Sequence, residues 1–297
     1  MSDIRLQRMA RVLVNYSLGL KKGDRLAIQT TPAAAPLVRE VVREAIHAGA
    51  HPETFIGVPG VREIVLKEGS DEQLTYIPAI TRMIIEEYES QLQIIADENT
   101  KSLSGVDPAR MAVAQRAMGD LVHTYMKRTE DGSLRWSIAM FPTNALAQDA
   151  DMSLSDFEDF IYRVCFLNDE DPVARWRELG QQQERLVQWL NGKHKIHLRG
   201  QDTDLTFSID GRIFINDEGK YNFPGGEFFT GPVEDSANGY IRYSFPASYG
   251  GRSVEDVRLR FENGVVVEAR AAQGQDYLEK MLSMDEGARR LGEFAFG

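Results

Sequence analysis

Cysteine and positive charge are both scarce in this sequence of 297 residues. Cys165 is the only cysteine, which excludes an internal disulfide and any metal cluster built from several cysteines. Lysine and arginine number 34 against 45 aspartates and glutamates, a net charge of −11, so a nucleic-acid or anionic membrane partner is not expected. No apolar run could span a bilayer, and residues 1–20 have the pattern of an amphipathic helix and not of a signal peptide. These absences predict a cytoplasmic protein.

The common short motifs of enzyme sites are absent as well. The sequence has no GxGxxG after a strand, P-loop, GxSxG elbow, HExxH or paired CxxC, so no dinucleotide cofactor is expected. Cys165 lies on the apolar stripe of a predicted helix, which favours a buried structural thiol over a nucleophile. None of the five histidines has a ligand pattern, and His194 and His197 are three apart on a predicted strand, so they point to opposite faces.

The first half of the chain alternates strand and helix signals. Apolar runs predict strands at 24–31, 55–58, 92–96 and 136–141. Helical spacing predicts helices over 37–46, 71–87 and 107–127. Strands that alternate with helices of this size predict an α/β fold, a parallel sheet with helices on both faces.

The second half has a different character after a helical connector at about residues 151–192. Alternating patterns predict strands at 196–198, 205–209, 240–245, 257–261 and 265–269. Asn263-Gly264 predicts a two-residue hairpin turn, and a last helix is predicted over 275–291. We therefore predict an N-terminal α/β domain over 1–192 and a second α+β domain over 193–297, rich in antiparallel strands.

Glycine, proline and acidic residues are concentrated in the segment 221–239. Pro224-Gly225-Gly226 favours a tight turn, and Glu227 follows it directly, beside Phe228 and Phe229. A carboxylate between apolar rings must be paired, protonated or bound to a metal ion. Glu234 and Asp235 add two acids nearby. A hairpin turn with solvated acids explains the segment equally well, so both interpretations stay open.

A second glutamate stands beside phenylalanines near the end of the sequence. Glu293 follows the predicted helix over 275–291 and precedes Phe294 and Phe296. A carboxylate at a helix C-terminus is disfavoured unless a positive charge compensates it. A divalent cation would provide that charge, and a solvated, frayed helix end would make it unnecessary.

Together, NFPGGEFFTGPVEDSANG and DEGARRLGEFAFG resemble the M29 family of metal-dependent aminopeptidases. GDRLAIQ and VREVVREAIHAGAHP are similar to that family too, so the resemblance covers the whole chain. It implies that Glu227, from the PGGE motif, and Glu293, from the LGEF motif, are ligands of a site for two divalent ions of the Zn, Co or Mg type. Glu293 would bridge the two ions. The resemblance also implies peptide substrates and a homodimer.

The resemblance further implies that some functional residues are not among these 297. In the family, two histidine ligands, an aspartate ligand and a catalytic tyrosine follow at positions beyond Gly297. We therefore expect a family member that lacks its C-terminal end, with the start of the metal-binding domain at 193–297, no catalytic residue, weakly bound metal and little activity. An alternative is a non-catalytic α/β scaffold or interaction protein derived from the family. A glycosidase-type acid pair is a third possibility, but no aromatic sugar-binding pattern accompanies it.

Overall fold

The computed structural model describes residues 3–249 and 251–297, which divide into two compact units. The first unit comprises the chain up to Glu178 together with Glu218–Gly225, and the second comprises Leu179–Asp217 and Gly226–Gly297. This division differs from the predicted single boundary after residue 192. The chain passes from one unit to the other between residues 178 and 179, inside one continuous helix, so the sequence pattern shows no break at that point. In the described part of the chain, no helix is both long and apolar enough to cross a membrane.

The secondary structure is as follows. The helices are α1 (Ile4–Val12), α2 (Ala35–His47), α3 (Val61–Glu68), α4 (Asp71–Thr75), α5 (Ala79–Glu87), α6 (Pro108–Ala117), α7 (Gly119–Glu130), α8 (Asn144–Asp149), α9 (Leu154–Val164), α10 (Pro172–Leu190) and α11 (Gln275–Met281). The strands are β1 (Arg25–Thr30), β2 (His51–Ile56), β3 (Ser90–Ile95), β4 (Arg135–Met140), β5 (Lys195–Gly200), β6 (Thr203–Ser208), β7 (Ile215–Asp217), β8 (Asn222–Phe223), β9 (Glu227–Thr230), β10 (Asn238–Tyr243), β11 (Ala247–Tyr249), β12 (Arg252–Val254), β13 (Val257–Glu262), β14 (Val265–Arg270) and β15 (Phe294–Phe296).

A five-stranded parallel sheet of order β2-β1-β3-β4-β8 organises the first unit. Leu26, Ala27 and Ile28 of β1 are all fully buried. Since successive strand residues point to opposite faces, burial of all three means that both faces of the sheet are covered. The predicted α/β fold is confirmed. The strand predicted at 55–58 begins earlier, at His51, because β2 is an edge strand whose mostly exposed side chains need no apolar pattern.

Two predicted helices are each interrupted. The helix predicted over 71–87 is two helices, α4 and α5, separated around Pro78, since proline disfavours helical backbone in the residue before it. The helix predicted over 107–127 begins after the N-cap Asp107, as its Asp-Pro pattern indicates, and then breaks at Met118 into α6 and α7.

Cys165, which caps α9, is fully buried as predicted, and that burial raises the pKa of its thiol.

The segment 218–225 returns to the first unit and is held there by three side chains. Tyr16 Oη donates a hydrogen bond to the Glu218 carbonyl at 3.0 Å, and Ser17 Oγ donates one to the Gly219 carbonyl at 2.7 Å. Trp176, only 1% exposed, packs against Gly219. These contacts allow β8 to extend the parallel sheet beside β4.

An ion pair joins the start of β1 to the residue before β3. The guanidinium of Arg25 donates to Glu89 Oε1 at 2.9 Å and Oε2 at 3.2 Å, and the backbone N–H of Arg25 donates to Oε2 at 2.8 Å. The hydrogen bond from the Arg25 side chain outweighs desolvation and lowers the pKa of Glu89 to about 2. The folded state therefore favours the ionised carboxylate.

We expect this pair to stabilise the first unit above pH 4.5 and to lose its effect as the pH falls toward 2. The folded-state pKa of Glu89 is about 2, below its ordinary value of 4.5, so the unfolded chain takes up the proton first. The Glu89 side chain is 37% exposed, and solvent screening limits its contribution to about 1 kcal/mol. Urea midpoints measured across this range should show a weaker acid dependence in Glu89→Gln. Glu87→Gln, at a more exposed carboxylate 3.4 Å from Arg25, is the control. Equal pH profiles in both variants would contradict the prediction.

The second unit is built on the five-stranded antiparallel sheet β14-β13-β10-β6-β5. Leu205, Phe207, Phe261 and Val266 from its strands pack in one core with residues of α10. The strands predicted in this half are confirmed. So is the hairpin, because Asn263 and Gly264 both have positive φ, 49° and 79°, and connect β13 directly to β14.

The helix predicted over 275–291 is wrong beyond Met281, where α11 ends. The following residues form turns, in which Asp285 Oδ1 accepts a hydrogen bond from the Ala288 backbone N–H at 2.8 Å. Glu293 therefore does not lie at a helix C-terminus. It directly precedes β15, and the argument from the helix dipole does not apply to it.

Candidate active site

A three-stranded antiparallel sheet of order β15-β9-β7 positions both predicted ligands in the second unit. Glu227 is the first residue of the central strand β9, and Asp217, the last residue of β7, lies directly opposite it. On the other side of β9, Phe294 of β15 pairs with Thr230. Glu293, one residue before Phe294, therefore joins the sheet at the far end of β9 from Glu227.

The alternation of strand side chains separates the phenylalanines from the acids. Phe228 is buried in the core, and the partly buried Phe294 and Phe296 pack against that core, with the rings of Phe228 and Phe296 stacked at a centroid distance of 5.0 Å. Glu227 points to the opposite face of β9 from Phe228. The expectation that Phe228 surrounds the Glu227 carboxylate is therefore wrong. The phenylalanines beside both glutamates anchor the strands that carry them.

The carboxylate of Glu227 lies in an acidic, partly desolvated environment. Burial raises its pKa most, and the negative charges of Glu293 and Asp217 raise it further. Glu293, which is 66 positions from Glu227 in the sequence, is therefore near enough for its charge to act on Glu227, and the third acid, Asp217, is 2% exposed. The negative charges near Glu227 favour a compensating positive charge there.

The other candidate acids of the segment 221–239 are solvated. Glu234 is exposed and binds the guanidinium of Arg212, with Nη2 and Oε2 2.7 Å apart. Asp235 is exposed too. The interpretation as a turn with solvated acids thus holds for Glu234 and Asp235, whereas Glu227 lies in a strand and is partly buried.

The histidines pair with separate aspartates. His194 Nδ1 lies 2.7 Å from Asp210 Oδ1, and His197 Nε2 lies 2.8 Å from Asp204 Oδ1. The two imidazoles therefore have different hydrogen-bond partners, and His194 lies just before β5, outside the strand predicted to carry it.

Asp217 was not identified from the sequence. It ends a strand of three residues, too short to give an alternating pattern, and Glu218-Gly219 after it reads as a polar turn. Its position opposite Glu227 depends on the pairing of β7 with β9, which the sequence does not indicate.

The donor atoms of this site suit a hard divalent cation. Carboxylate oxygens are the ligands that such ions prefer, and a cation would offset the repulsion between Glu227, Glu293 and Asp217. Within residues 3–249 and 251–297, no group of three or more His, Cys, Asp or Glu side chains is arranged to hold a metal ion. Glu227 and Glu293 therefore offer oxygen atoms of the right chemistry, but the described residues do not form a complete ligand set around them.

Comparison with known proteins identifies the family to which this chain belongs. The family described as thermophilic metalloprotease (M29) matches residues 2–297. The chain belongs to this family of metallopeptidases, which are hydrolases.

Its relatives are aminopeptidases. The chain is 30% identical to Aminopeptidase 2 of Geobacillus stearothermophilus, over 98% of this chain and 75% of that protein. It is 27% identical to Aminopeptidase T of Thermus thermophilus and 26% identical to Aminopeptidase AmpS of Bacillus subtilis, each over 98% of this chain and 76% of the relative. The solved structure of wild-type AmpT from Thermus thermophilus superposes with a TM-score of 0.84 at 25% identity, over 98% of this chain and 77% of that one. Family and relatives both support aminopeptidase function.

Proposed function

We propose that this chain belongs to an enzyme that releases amino acids from the free N-terminus of peptides, with two divalent ions held in part by Glu227 and Glu293. The observation that carries the proposal is that one small sheet holds both glutamates, at opposite ends of β9, and that the charge of Glu293 contributes to the raised pKa of Glu227. Metallopeptidase chemistry follows from the family, and the specificity for N-termini is taken from the relatives.

Glu227 and Glu293 have distinct roles in this proposal. Glu227 would bind one ion, and Glu293 would bridge two, because the two oxygens of one carboxylate can each bind a different ion. Bound ions of this kind supply Lewis acidity and a water molecule of lowered pKa. Phe228 and Phe296 hold the backbones of β9 and β15 from the core side.

We expect the 297 residues by themselves to bind divalent ions weakly and to hydrolyse peptides slowly. Two glutamates leave most coordination positions of an ion to water, and a site for two ions needs more ligands to hold both close together. The alternative of a non-catalytic scaffold is favoured by the lack of a three-ligand cluster among the described residues. Activity measurements on the chain distinguish the two.

The proposal is tested by metal binding and by hydrolysis. We expect Glu227→Gln and Glu293→Gln to weaken Mn²⁺ binding at least about 10-fold, measured by calorimetry, because each removes a charged ligand but keeps the shape of the side chain. Glu234→Gln is the matched control, since Glu234 lies in the same segment but is exposed and paired with Arg212. Unchanged affinity in both ligand variants would refute the metal assignment.

Hydrolysis of aminoacyl p-nitroanilides distinguishes a slow metal-dependent aminopeptidase from a non-catalytic scaffold. Metal-dependent turnover that is slow, and lost in Glu227→Gln, is the expected result. Turnover by the 297-residue chain at 1 to about 1,000 per second, the ordinary range of enzymes, would contradict the expected low activity. Bound metal with no turnover would favour the scaffold alternative.

We also propose that the chain forms a homodimer through the first unit. Five large apolar side chains are exposed along β2, α3 and the residues between them, beside the open edge of the parallel sheet. They are Ile56, Val58, Val61, Ile64 and Val65. A solution mass equal to one chain, measured by light scattering, would contradict this assembly.

A further inference from the structure

One face of the antiparallel sheet in the second unit carries a row of three arginines. Arg242 of β10 lies directly opposite Arg258 of β13, and Arg258 lies directly opposite Arg270 of β14. Residues opposite each other in a sheet point to the same face, with Cβ atoms about 4.5–5.5 Å apart, and like charges in this arrangement weaken the sheet. In a chain with a net charge of −11, such a row of positive charges calls for an explanation other than stability.

Carboxylates compensate the charges of the first two arginines but not that of the third. Arg242 binds Asp256, and its Nη1 lies 3.5 Å from Asp202 Oδ2. Arg258 Nη2 shares the same two acids, 3.7 Å from Asp202 Oδ2 and 3.5 Å from Asp256 Oδ2. Among the described residues, no carboxylate oxygen lies within 4.0 Å of the guanidinium of Arg270, which is exposed. The donors of Arg270 are therefore available to a ligand.

A shallow concavity of about 360 Å³ lies on this face of the sheet. Cavities that hold small organic molecules have volumes of about 300–1,000 Å³. Its lining includes three arginines, two acids and one tyrosine, which are Arg258, Arg260, Arg270, Asp202, Glu268 and Tyr240. At neutral pH these side chains have a net charge of +1. One carboxylate of a ligand would neutralise this charge.

Tyr240 and a β-bulge shape the middle of the concavity. Tyr240 lies directly opposite Arg260 and is 50% exposed, so its ring offers an apolar surface to a ligand. The register of β13 against β14 shifts between Arg260 and Phe261, and such bulges are frequent beside active sites. Glu268 Oε1 holds Arg260 by accepting from its Nε at 2.9 Å and its Nη2 at 2.7 Å. Arg260 is thus fixed as part of the wall.

We propose that this concavity binds a small organic carboxylate, with Arg258 and Arg270 holding the carboxylate and Tyr240 contacting an apolar part of the molecule. The two arginines are close enough to share one anion, which would relieve their mutual repulsion. The planar guanidinium can donate two parallel hydrogen bonds to a carboxylate. A phosphate group, with a charge of about −1.5 to −2, matches the lining less well. The inference does not depend on the metal site at Glu227 and Glu293.

The test uses two probes that differ only in the carboxylate. N-acetyl-L-phenylalanine has a carboxylate and a phenyl ring, and N-acetyl-L-phenylalanine amide has a neutral group in place of the carboxylate. The acetyl group blocks the amine, so neither probe has a free N-terminus, and metal is removed by a chelator that is then dialysed away. In NMR titrations of the 297-residue chain, we expect the acid to bind at least about 10-fold more tightly than the amide, because hydrogen bonds between charged groups are stronger.

A pair of arginine variants locates the binding. Arg270→Gln should weaken binding of the acid at least about 10-fold and leave binding of the amide unchanged. Arg199→Gln is the matched control, since Arg199 lies on the opposite edge strand β5, with its side chain 76% exposed, and should leave both affinities unchanged. Both arginines are exposed, so equal Tm values in the two variants are expected.

Three results would overturn the inference. Equal binding of acid and amide, or no binding of either probe, would mean that the concavity does not select a carboxylate. Equal losses in Arg270→Gln and Arg199→Gln would mean that the acid is attracted by general positive charge. Tighter binding of inorganic phosphate than of the acid would assign the arginines to phosphate instead. The metal site at Glu227 and Glu293 stands or falls by its own Mn²⁺ measurement.

Discussion

The substitution Trp176→Ala is expected to lower the free energy of unfolding of the first unit by about 3–5 kcal/mol. The indole is 1% exposed, and its Nε1–H donates to the Cys165 carbonyl at 3.2 Å. Its ring also packs against Phe166 and Phe223, with centroids 5.3 and 5.5 Å away. Removing it leaves a cavity beneath the segment 218–225 and a buried carbonyl that loses its hydrogen bond. Urea unfolding followed by circular dichroism measures the loss.

The matched control is Trp189→Ala, on the same helix α10. Trp189 is 65% exposed, so its removal should change stability by less than about 0.5 kcal/mol. A loss in Trp176→Ala no larger than in this control would contradict the prediction.

A double-mutant cycle with Gly219→Ala then isolates the contact between helix and segment. Gly219 has φ +80°, and a Cβ there would lie 2.8 Å from Trp176 Cε3. In wild type, Gly219→Ala should cost the strain of positive φ together with this collision, about 2–5 kcal/mol in all. In the Trp176→Ala background the collision is absent and about 1–2 kcal/mol should remain. Additive effects would mean that Trp176 does not confine the segment.

Features of the fold that are determined by residues close together in the chain could be predicted from the sequence. The buried strand β1 shows as an apolar run because both of its faces are covered, and Asp107-Pro108 marks the start of α6 by local capping. Asn263-Gly264 specifies its own turn. The edge strand β2 begins before the predicted residue 55, because its largely exposed side chains give no apolar pattern at its start. The end of α11 at Met281 has no signal in the sequence, since the turn after it is stabilised by the side chain of Asp285 and leaves the helical spacing intact.

The candidate site could be predicted only in part, for a different reason. Glu227 and Glu293 stand out because each belongs to a long motif, but their shared sheet is made of strands of three or four residues. Such short strands carry too few residues for a periodic pattern, so neither their pairing nor the position of Asp217 could be read from the sequence. The sheet forms because Phe294 and Phe296 pack with the buried Phe228 against the core, which is a property of the tertiary structure.

The second large effect is expected for Gly264→Ala, in the turn between β13 and β14. Gly264 has φ +79°, and a Cβ there would lie 1.9 Å from the Glu234 carbonyl oxygen and 2.5 Å from Asp235 Cα. Both are backbone atoms, which cannot rotate away as a side chain would. We expect a loss of about 2–5 kcal/mol from the second unit, the sum of the strain of positive φ and of the displaced backbone. The urea midpoint measures it, provided that the slope of unfolding is unchanged.

Gly211→Ala separates the two contributions. Gly211 has a similar backbone conformation, with φ +68°, but a Cβ there would meet no described atom within 4 Å. Its alanine variant should therefore lose only the strain of positive φ, about 1–2 kcal/mol. The difference between the two variants measures how closely the hairpin packs on the backbone at residues 234 and 235. That contact is reinforced by the Gly264 N–H, which donates to the Ala237 carbonyl at 2.8 Å. Equal losses in Gly264→Ala and Gly211→Ala would show that the hairpin can move away from this backbone at little cost.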